Sequence, residues 1–265
     1  PIGNTMPNKT AVILTCGHAD PSVKNDRYSW LGEFLYDIKP DYVVDLGDGA
    51  DMRSLNTFDG KYPEAVVSQS YEKDIEVYND SMERIRWKFR QNKRKRPYFI
   101  GFEGNHEHRI KRAIAYDPRL EGSKFGISFK HLQTKYWFDD YHEYQNSGPS
   151  IADYDGVSYA HFFSSGNFGT ATSGLHHAYS LLQNRNYSST CGHSHKRSVY
   201  FKDGAHPTGI IGLVAGCFKG GEESWAGQAN RDWWKGVVIK RDIDNGIYDP
   251  EFVSLDKLRS VYGKT

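Results

Sequence analysis

Cysteine is scarce in this chain, and long apolar runs are missing. Only Cys16, Cys191 and Cys217 occur among 265 residues, which excludes a disulfide framework and favours a reducing compartment. No apolar segment approaches the ~18–20 residues of a membrane span, and the polar first ten residues lack the core of a signal peptide. We therefore expect a cytoplasmic protein with no membrane partner.

The chain also lacks an excess of either charge. Its 34 Lys and Arg residues face 33 Asp and Glu residues, so no overall field attracts nucleic acid or membranes. Apolar residues make up 38 % and aromatic residues 14 %, which is enough for a sizeable core. No linker or low-complexity tract interrupts the chain, so residues 1–265 are predicted to form a single domain.

Several segments read as a strand that runs into a turn holding Asp, Asn or His. Four of them are DYVVDLGDGAD, PYFIGFEGNHE, GVSYAHFFSSG and YSSTCGHSH, and the apolar run AVILT at 11–15 predicts a further buried strand. Helical patterns lie between several of these strands, which indicates an α/β fold with the polar groups at one edge of the sheet. Segments after about residue 197 are predicted to be strands of a second layer.

A long insertion lies at about 61–96. Apolar residues recur at steps of three or four from Val67 to Phe89, which predicts one amphipathic helix over about 64–92. The helix runs into the basic segment KFRQNKRKRP. These cations are either phosphate contacts or favourable charges at a helix C-terminus before a terminating proline. The lack of interleaved aromatic residues favours the second interpretation.

Polar residues stand at the ends of five predicted strands. A single His in such a place is usually a satisfied polar residue. Burying many imidazoles and carboxylates at one edge is costly unless cations pair with them, so the pattern indicates a metal site. Its candidate members are Cys16 with His18, Asp48 with Asp51 nearby, Asn105 with His106, His161, and His193 with His195.

The motifs LGDGAD, GNHE, a strand-end His after VSYA, and GHSH follow one another in the order and approximate spacing of the calcineurin-like metallophosphoesterases. The chain resembles this family over about residues 11–200, and its FEGNHEHRIKR and CGHSHKR segments look like those of members carried by bacteriophages. The resemblance implies a four-layer α-β-β-α sandwich of two mixed sheets flanked by helices. It also implies two divalent metal ions, of Mn, Fe, Zn or Ni.

The resemblance also implies a role for each matching residue. Asp48 would bridge both metals, His106 would protonate the leaving group, and Glu107 would orient His106. Arg53 and Arg109 are candidates for holding a phosphate oxygen, with surface solvation as the alternative. The implied metal ligands are Cys16, His18, Asp48, Asn105, His161, His193 and His195.

One position departs from the family's pattern. Cys16 stands where most members have Asp, as it does in the similar RNA lariat-debranching enzymes. A Cys16 thiolate would favour zinc or iron, whereas a thiol would weaken the first metal site. Asp20 is a candidate partner for the His18 imidazole. The two TCGH copies, at 15–18 and 190–193, are therefore not a repeat, and Cys191 is expected to pack as a small apolar residue.

The implied reaction is hydrolysis of a phosphomonoester or phosphodiester by a metal-bound hydroxide, with His106 as general acid. Two alternatives stay open: a nucleic-acid phosphodiesterase of nuclease or debranching type, and a catalytically inactive binding module of the same fold. Trp233 and Trp234 either stack on a base or pack inside the protein, and packing is favoured. His176 and His177 are expected to face solvent.

Overall fold

A computed structural model describes residues 9–56, 69–145, 148–165, 169–204, 209–222 and 224–263. Within them, two mixed sheets pack face to face, and a two-stranded ribbon stands apart. The strands are β1 (Lys9–Leu14), β2 (Tyr42–Asp45), β3 (Tyr98–Phe102), β4 (Asp140–His142), β5 (Ala152–Tyr154), β6 (Val157–Tyr159), β7 (Ser164–Ser165), β8 (Thr170–Ala171), β9 (Ser189–Cys191), β10 (Arg197–Lys202), β11 (Ile210–Ala215), β12 (Gly236–Asp244) and β13 (Ile247–Ser254).

The first sheet has the strand order β13-β12-β1-β2-β3-β4, and the second has the order β10-β11-β9-β6-β5. In the first sheet β1 to β4 run parallel to one another, while β12 is antiparallel to both of its neighbours, β1 and β13. In the second sheet β6, β9 and β11 run parallel, with an antiparallel strand at each edge. The prediction of a second layer after residue 197 is correct for β10 and β11 but wrong for β12 and β13. These two strands return to the first sheet because β12 pairs with β1.

Helices cover the outer faces of both sheets. Apolar residues of the helices Asp26–Ile38, Tyr71–Gln91 and Leu255–Tyr262 form one core cluster with the first sheet, and those of the helix His177–Arg185 form a smaller cluster with the second. The result is the four-layer α-β-β-α sandwich that the sequence predicts. No helix in the described ranges is long and apolar enough to cross a membrane. The helices are α1 (Asp26–Ile38), α2 (Tyr71–Gln91), α3 (His108–Tyr116), α4 (Thr134–Trp137), α5 (His177–Arg185) and α6 (Leu255–Tyr262).

The long helix predicted over 64–92 is α2, which begins later than the apolar pattern suggests. Ser70 has extended backbone angles (φ −135°, ψ 126°), and its side chain accepts a hydrogen bond from the Lys73 backbone N–H. This cap starts the helix at Tyr71. Acidic residues occupy its first turn and basic residues its last, as the helix dipole favours. Val67 lies outside the described residues.

A lysine is fully buried between the two sheets. The Lys240 ammonium donates hydrogen bonds to Thr190 Oγ1 (2.7 Å) and Tyr159 Oη (3.1 Å), and it lies 4.2 Å from the centroid of the Tyr248 ring. Burial lowers the pKa of this lysine well below its ordinary value, because desolvation penalises the charged form. The charged lysine therefore costs folding free energy.

We expect Lys240→Met to raise the free energy of unfolding at pH 7 by about 1–3 kcal/mol, since an apolar chain of similar volume replaces a desolvated cation. The unfolded chain binds more protons than the folded one between the lowered folded pKa and about 10.4, so wild-type stability rises with pH in that window. The free energy of unfolding, measured in urea at pH 7 and at pH 9, should rise less with pH for Lys240→Met than for the wild type. The exposed control Lys130→Met should behave like the wild type, and an equal rise in all three proteins would contradict the assignment.

Candidate metal centre

The loops that follow five parallel strands bring polar side chains to one edge of the sandwich. Three of these strands belong to the first sheet and two to the second. Since the chain leaves each strand at its carboxyl end, the loops face one another across the space between the sheets. They carry Cys16 and His18 after β1, Asp48 and Asp51 after β2, Asn105 and His106 after β3, His161 after β6, and His193 and His195 after β9.

One half of the cluster surrounds His161, which is fully buried. Its Nε2 atom lies 3.0 Å from Asn105 Oδ1, 3.3 Å from Asp48 Oδ2 and 3.2 Å from His193 Nδ1. Its other ring nitrogen, Nδ1, donates a hydrogen bond to the Leu46 carbonyl oxygen at 2.7 Å. Four predicted ligands thus meet at a single atom.

The other half surrounds His18. Its Nε2 atom lies 3.1 Å from His195 Nε2 and 3.9 Å from Asp48 Oδ2. The Cys16 sulfur lies within 4.8 Å of the ligand atoms of His18 and His195, and equally of those of Asp48 and His161. Cys16 and Asp48 therefore stand between the two halves. All seven predicted ligands lie together.

The donor atoms face one another in a way that suits a cation. Because Nδ1 of His161 donates to a carbonyl, Nε2 of the neutral ring carries a lone pair, and this lone pair points at the oxygens of Asp48 and Asn105. Acceptors that face acceptors in a buried site repel one another. A second proton on His161 would satisfy one such contact, whereas a metal ion can accept electron pairs from all of them. These buried groups could hold metal ions.

The protonation states favour the same conclusion. Burial lowers the pKa of His18 and of His193 to about 4 and that of His195 to about 2, so these imidazoles are neutral ligands. Burial alone would raise the pKa of Asp48, but the charges of His161 and His106 hold it well below its ordinary range. Three of the four imidazoles among the predicted ligands are therefore neutral beside the Asp48 carboxylate, whereas the pKa of His161 is raised, because the charge of Asp48 outweighs the effect of burial.

The backbone of the site is strained. Cys16, His18, Asp48, His193 and His195 all have positive φ angles, between 43° and 65°. This left-handed conformation costs a non-glycine residue on the order of 1 kcal/mol or more, and such residues cluster at functional sites. Five of the seven predicted ligands share it. The fold therefore accepts a cost at these positions to aim their side chains.

Two glycines permit the close approach of the loops. A Cβ on Gly104, the glycine of GNHE, would collide with the backbone N and side chain of Asp48. A Cβ on Gly192 would collide with the Thr15 side chain, and the Cys16 sulfur accepts a hydrogen bond from the His193 N–H at 3.2 Å. The two TCGH segments therefore contact each other.

Asp51 orients the two imidazoles on the open side of the cluster. Its Oδ1 accepts a hydrogen bond from His18 Nδ1 at 2.8 Å and lies 3.1 Å from His106 Nδ1, which also donates to the Asp51 carbonyl at 2.7 Å. The expectation that Asp20 contacts His18 is wrong, because the Asp20 carboxylate accepts hydrogen bonds from Ser22. Asp51 was among the strand-end groups in the sequence, but no role was predicted for it.

The expectation that Glu107 orients His106 is also wrong. The buried Glu107 carboxylate accepts hydrogen bonds from the backbone N–H groups of Asp48 (3.0 Å), Ala50 (2.8 Å) and Gly104 (3.0 Å). The helical backbone at Glu107 turns its side chain away from the His106 ring and under the Asp48 loop. Glu107 therefore fixes the loop that carries Asp48.

His106 and Arg109 stand beside the metal-ligating groups. Burial would lower the pKa of His106, but the charges of Asp48 and Asp51 outweigh it and raise this pKa above its ordinary value. Arg109 donates to the Asp51 carbonyl at 2.9 Å, and its second terminal nitrogen lies 3.3 Å from His106 Nε2. Arg53 lies 3.8 Å from the Asp20 carboxylate. Of the two predicted phosphate-binding arginines, Arg109 is the one that contacts His106.

The tryptophan pair divides between the site and the core. The half-buried Trp233 ring lies 4.5 Å from the His195 ring, centroid to centroid, at the edge of the cluster. The Trp234 ring packs against Phe252 at 5.5 Å, as the packing interpretation predicts. The expectation that His177 faces solvent is wrong, because this residue is buried and its Nδ1 lies 3.2 Å from Ser194 Oγ. His176 is exposed as expected.

Arg27 holds the first ligand loop and was missed by sequence reasoning. Its buried guanidinium donates to the carbonyl oxygens of Phe218 (3.0 Å) and Gly17 (2.9 Å), the latter between Cys16 and His18. An arginine in the first turn of an amphipathic helix is usually at the surface, so no pattern in the sequence singles it out. It ties the loop after β1 to the segment after β11.

Cys191 is buried in the apolar cluster of the second sheet, as predicted. Burial raises the pKa of its thiol to about 12, so it stays protonated. The pKa of the Cys16 thiol is also raised, by burial and by the charge of Asp48. Without metal both thiols stay protonated, so Cys16 and Cys191 differ in their position and not in their protonation.

No protein-family model matches the chain, and no curated protein does. Among solved structures, a conserved uncharacterized protein from Streptococcus pneumoniae TIGR4, described as a predicted phosphoesterase, is similar with 12 % identity and a TM-score of 0.38 over 95 % of this chain and 92 % of that one. The cold-active protein-tyrosine phosphatase of a Shewanella species gives 12 % identity and a TM-score of 0.39 over 92 % and 82 %. The anchor protein of the Plasmodium inner membrane complex gives 11 % and 0.38 over 97 % and 88 %. We therefore draw functional conclusions from the side chains of the site.

Asp48→Asn should weaken metal binding by roughly 10-fold or more, since loss of even an outer partner of a metal site costs about 10–100-fold. The change removes the one carboxylate common to both halves. Metal content after dialysis against zinc or manganese, measured by elemental analysis, tests this. Asp20→Asn, in the neighbouring loop, is the matched control and should keep the wild-type metal content. Equal metal content in the wild type and in Asp48→Asn would exclude Asp48 as a ligand.

Proposed function

We propose that this chain is a metal-dependent phosphoesterase that hydrolyses a phosphomonoester or a phosphodiester. The observation that carries the proposal is the convergence of donor atoms from Asp48, Asn105, His161 and His193 beside His106, whose ring is held by Asp51 outside the seven predicted ligands. A binding module has no use for a proton donor in that place. The resemblance of the motifs to metallophosphoesterases supports the same reaction class.

Two divalent cations fit the arrangement of the donors. Cys16, His18 and His195 would hold the first, Asn105, His161 and His193 the second, and Asp48 would bridge them, because its Oδ2 atom lies near both His18 and His161. Zinc or iron suits the mixture of imidazole and sulfur better than magnesium does. Manganese and nickel are the other two ions to be tested at this site. Ions held there would polarise a phosphoryl oxygen and activate water as a nucleophile.

The protein's own residues would handle the leaving group. Nδ1 of His106 donates to Asp51, which directs Nε2 outward as the atom that passes a proton to the leaving oxygen. The charges of Asp48 and Asp51 favour the protonated ring. In the structure Nε2 accepts from the Arg109 guanidinium, which can only donate. A phosphate that draws Arg109 onto its own oxygens would free Nε2 to carry the proton.

His106→Ala should retain bound metal but slow the hydrolysis of alkyl phosphate esters by about 10²-fold or more, because a poor leaving group depends on the proton. Activated aryl esters should lose much less. His108→Ala, a change two positions along at a residue that contacts Glu103, is the matched control and should leave both rates near the wild-type values. Equal losses on alkyl and aryl esters would remove His106 from the acid role.

A nucleic-acid phosphodiesterase is the second candidate, and the position of Trp233 favours it. A half-buried indole 4.5 Å from His195 offers a surface on which a base beside the scissile phosphate could stack. Silence toward every ester with zinc, iron, manganese and nickel would instead support an inactive module.

Trp233→Ala should lower kcat/KM on short oligonucleotides by roughly 10-fold, because base stacking contributes about 1–3 kcal/mol, while leaving hydrolysis of an aryl phosphodiester nearly unchanged. Trp87→Ala, at an exposed tryptophan of α2, is the control. Rates measured over a salt series should also fall more steeply for the oligonucleotide. Equal effects of Trp233→Ala on both substrates would remove the stacking role.

A further inference from the structure

The basic segment at the end of α2 forms the wall of a cavity of about 330 Å³. Phe89 and Tyr136 contribute aromatic walls, and the other lining residues are all cationic. The sequence allows two interpretations of this segment, a phosphate contact or favourable charges at the end of a helix. We name it the arginine cavity, and its cationic members are Arg86, Arg90, Lys93, Arg94 and Arg96.

The arginine cavity is far from the candidate metal centre. Arg96 lies just before β3 at the amino end of that strand, whereas Asn105 and His106 follow its carboxyl end. Five residues of strand span about 16 Å, so the two regions lie at opposite ends of the strands of the first sheet. They share no residue. A ligand in the cavity would not touch the metal-ligating side chains.

The cavity carries an excess of positive charge. Two of its five cations pair with carboxylates: Arg96 with Asp139, at 2.8 Å between Nη2 and Oδ1, and Arg90 with Glu83. Arg86, Lys93 and Arg94 have no carboxylate partner within the described ranges, which leaves an excess of three charges. Burial and the charge of Arg96 lower the pKa of Arg86 to about 10. Like charges held this close favour an anion between them.

Arg86 supplies the most specific observation. Its side chain is only 5 % exposed, and its Nη1 atom donates to the Tyr136 carbonyl oxygen at 3.2 Å. Its Nε and Nη2 atoms are buried and have no hydrogen-bond partner among the residues that the structure describes. These two N–H groups lie on one edge of the guanidinium, the edge that binds two oxygens of a phosphate at once. Buried donors without partners are costly, and an oxyanion would relieve that cost.

We propose that the arginine cavity is a second ligand site, which binds a small phosphate-bearing molecule whose phosphoryl oxygens draw the Nε and Nη2 edge of Arg86 out of its buried position. Lys93 and Arg94 neutralise the remaining negative charge of the phosphate, and Phe89 and Tyr136 contact a ring attached to that phosphate. The volume is that of a small-molecule pocket. This size favours a small ligand over a polymeric substrate.

Isothermal titration of the full-length Asp48→Asn variant, without added metal, tests the proposal because phosphate binding at the metal centre is then weakened. Inorganic phosphate, pyrophosphate and adenosine diphosphate are the probes. We expect pyrophosphate and the nucleotide to bind, and Arg86→Met and Lys93→Ala each to weaken that binding at least 10-fold. Lys73→Ala, an exposed lysine of the same helix, should leave it unchanged.

Lys93 is exposed and lies just after the end of α2, so Lys93→Ala should fold like the wild type. This variant tests the proposal even if Arg86→Met fails to fold. In the otherwise wild-type chain Lys93→Ala should leave ester hydrolysis unchanged. Tyr136→Ala should weaken the nucleotide but not pyrophosphate; equal weakening of both would assign the site to the phosphate group alone, and the proposal of a ring contact would be wrong.

Absence of binding by all three probes, or binding insensitive to both cavity variants, would overturn the proposal. Binding of a single-stranded oligonucleotide lost in the same variants, without binding of the small probes, would overturn it in favour of a nucleic-acid surface. The metal centre shares no residue with the cavity, so each of these outcomes leaves the phosphoesterase proposal standing. That proposal is tested separately by His106→Ala.

Discussion

The mutual repulsion of buried electron pairs is the constraint on which this structure depends. His161 commits its Nδ1 proton to the Leu46 carbonyl, so its Nε2 atom faces the oxygens of Asp48 and Asn105, where only a second proton or a cation relieves the repulsion. The Nε2 atoms of His18 and His195 lie 3.1 Å apart in the other half of the site. Left-handed backbone angles at five of these positions add a conformational cost. A packed core has no use for such an arrangement, whereas a cation-binding site requires it.

The sandwich makes that arrangement possible. The two sheets pack through an apolar core that includes residues of β1, β2 and β3 on one side and of β6 and β11 on the other. This packing fixes the distance between the loops that leave each sheet, and Gly104 and Gly192 remove the side-chain volume that would hold those loops apart. Glu107 and Arg27 then fix the loop backbones through their N–H and carbonyl groups. Precision at the site thus comes from contacts to the backbone rather than among the ligands.

The sequence predicted the members of the site because each follows a strand, and strand ends are readable from apolar runs. Their partners were predicted less well. Glu107 adjoins His106 in the chain, yet the helical turn directs the two side chains apart, and Asp51 takes the expected role from another loop. Sequence adjacency is a poor guide where the backbone turns sharply.

The same distinction applies to the fold. The alternation of strands and helices predicted the layers, but the pairing of β12 with β1 is a long-range contact that local patterns do not encode. The start of α2 was placed too early because apolar spacing continues to Val67, while Ser70 caps the helix at Tyr71. Arg27 and Lys240 were not noticed at all, since charged residues are ordinarily at the surface and only the tertiary structure reveals their burial.

The loops that carry the donor atoms belong to two different sheets, and this division has a mechanical consequence. Any ion held jointly by Asp48 of the first sheet and His161 of the second is a cross-link between two layers that pack mainly through an apolar core. It fastens the sandwich at the edge where the strands end and the apolar core stops. Loss of the ion would therefore loosen the seam between the sheets as well as the pocket, so that chelation and unfolding become linked processes.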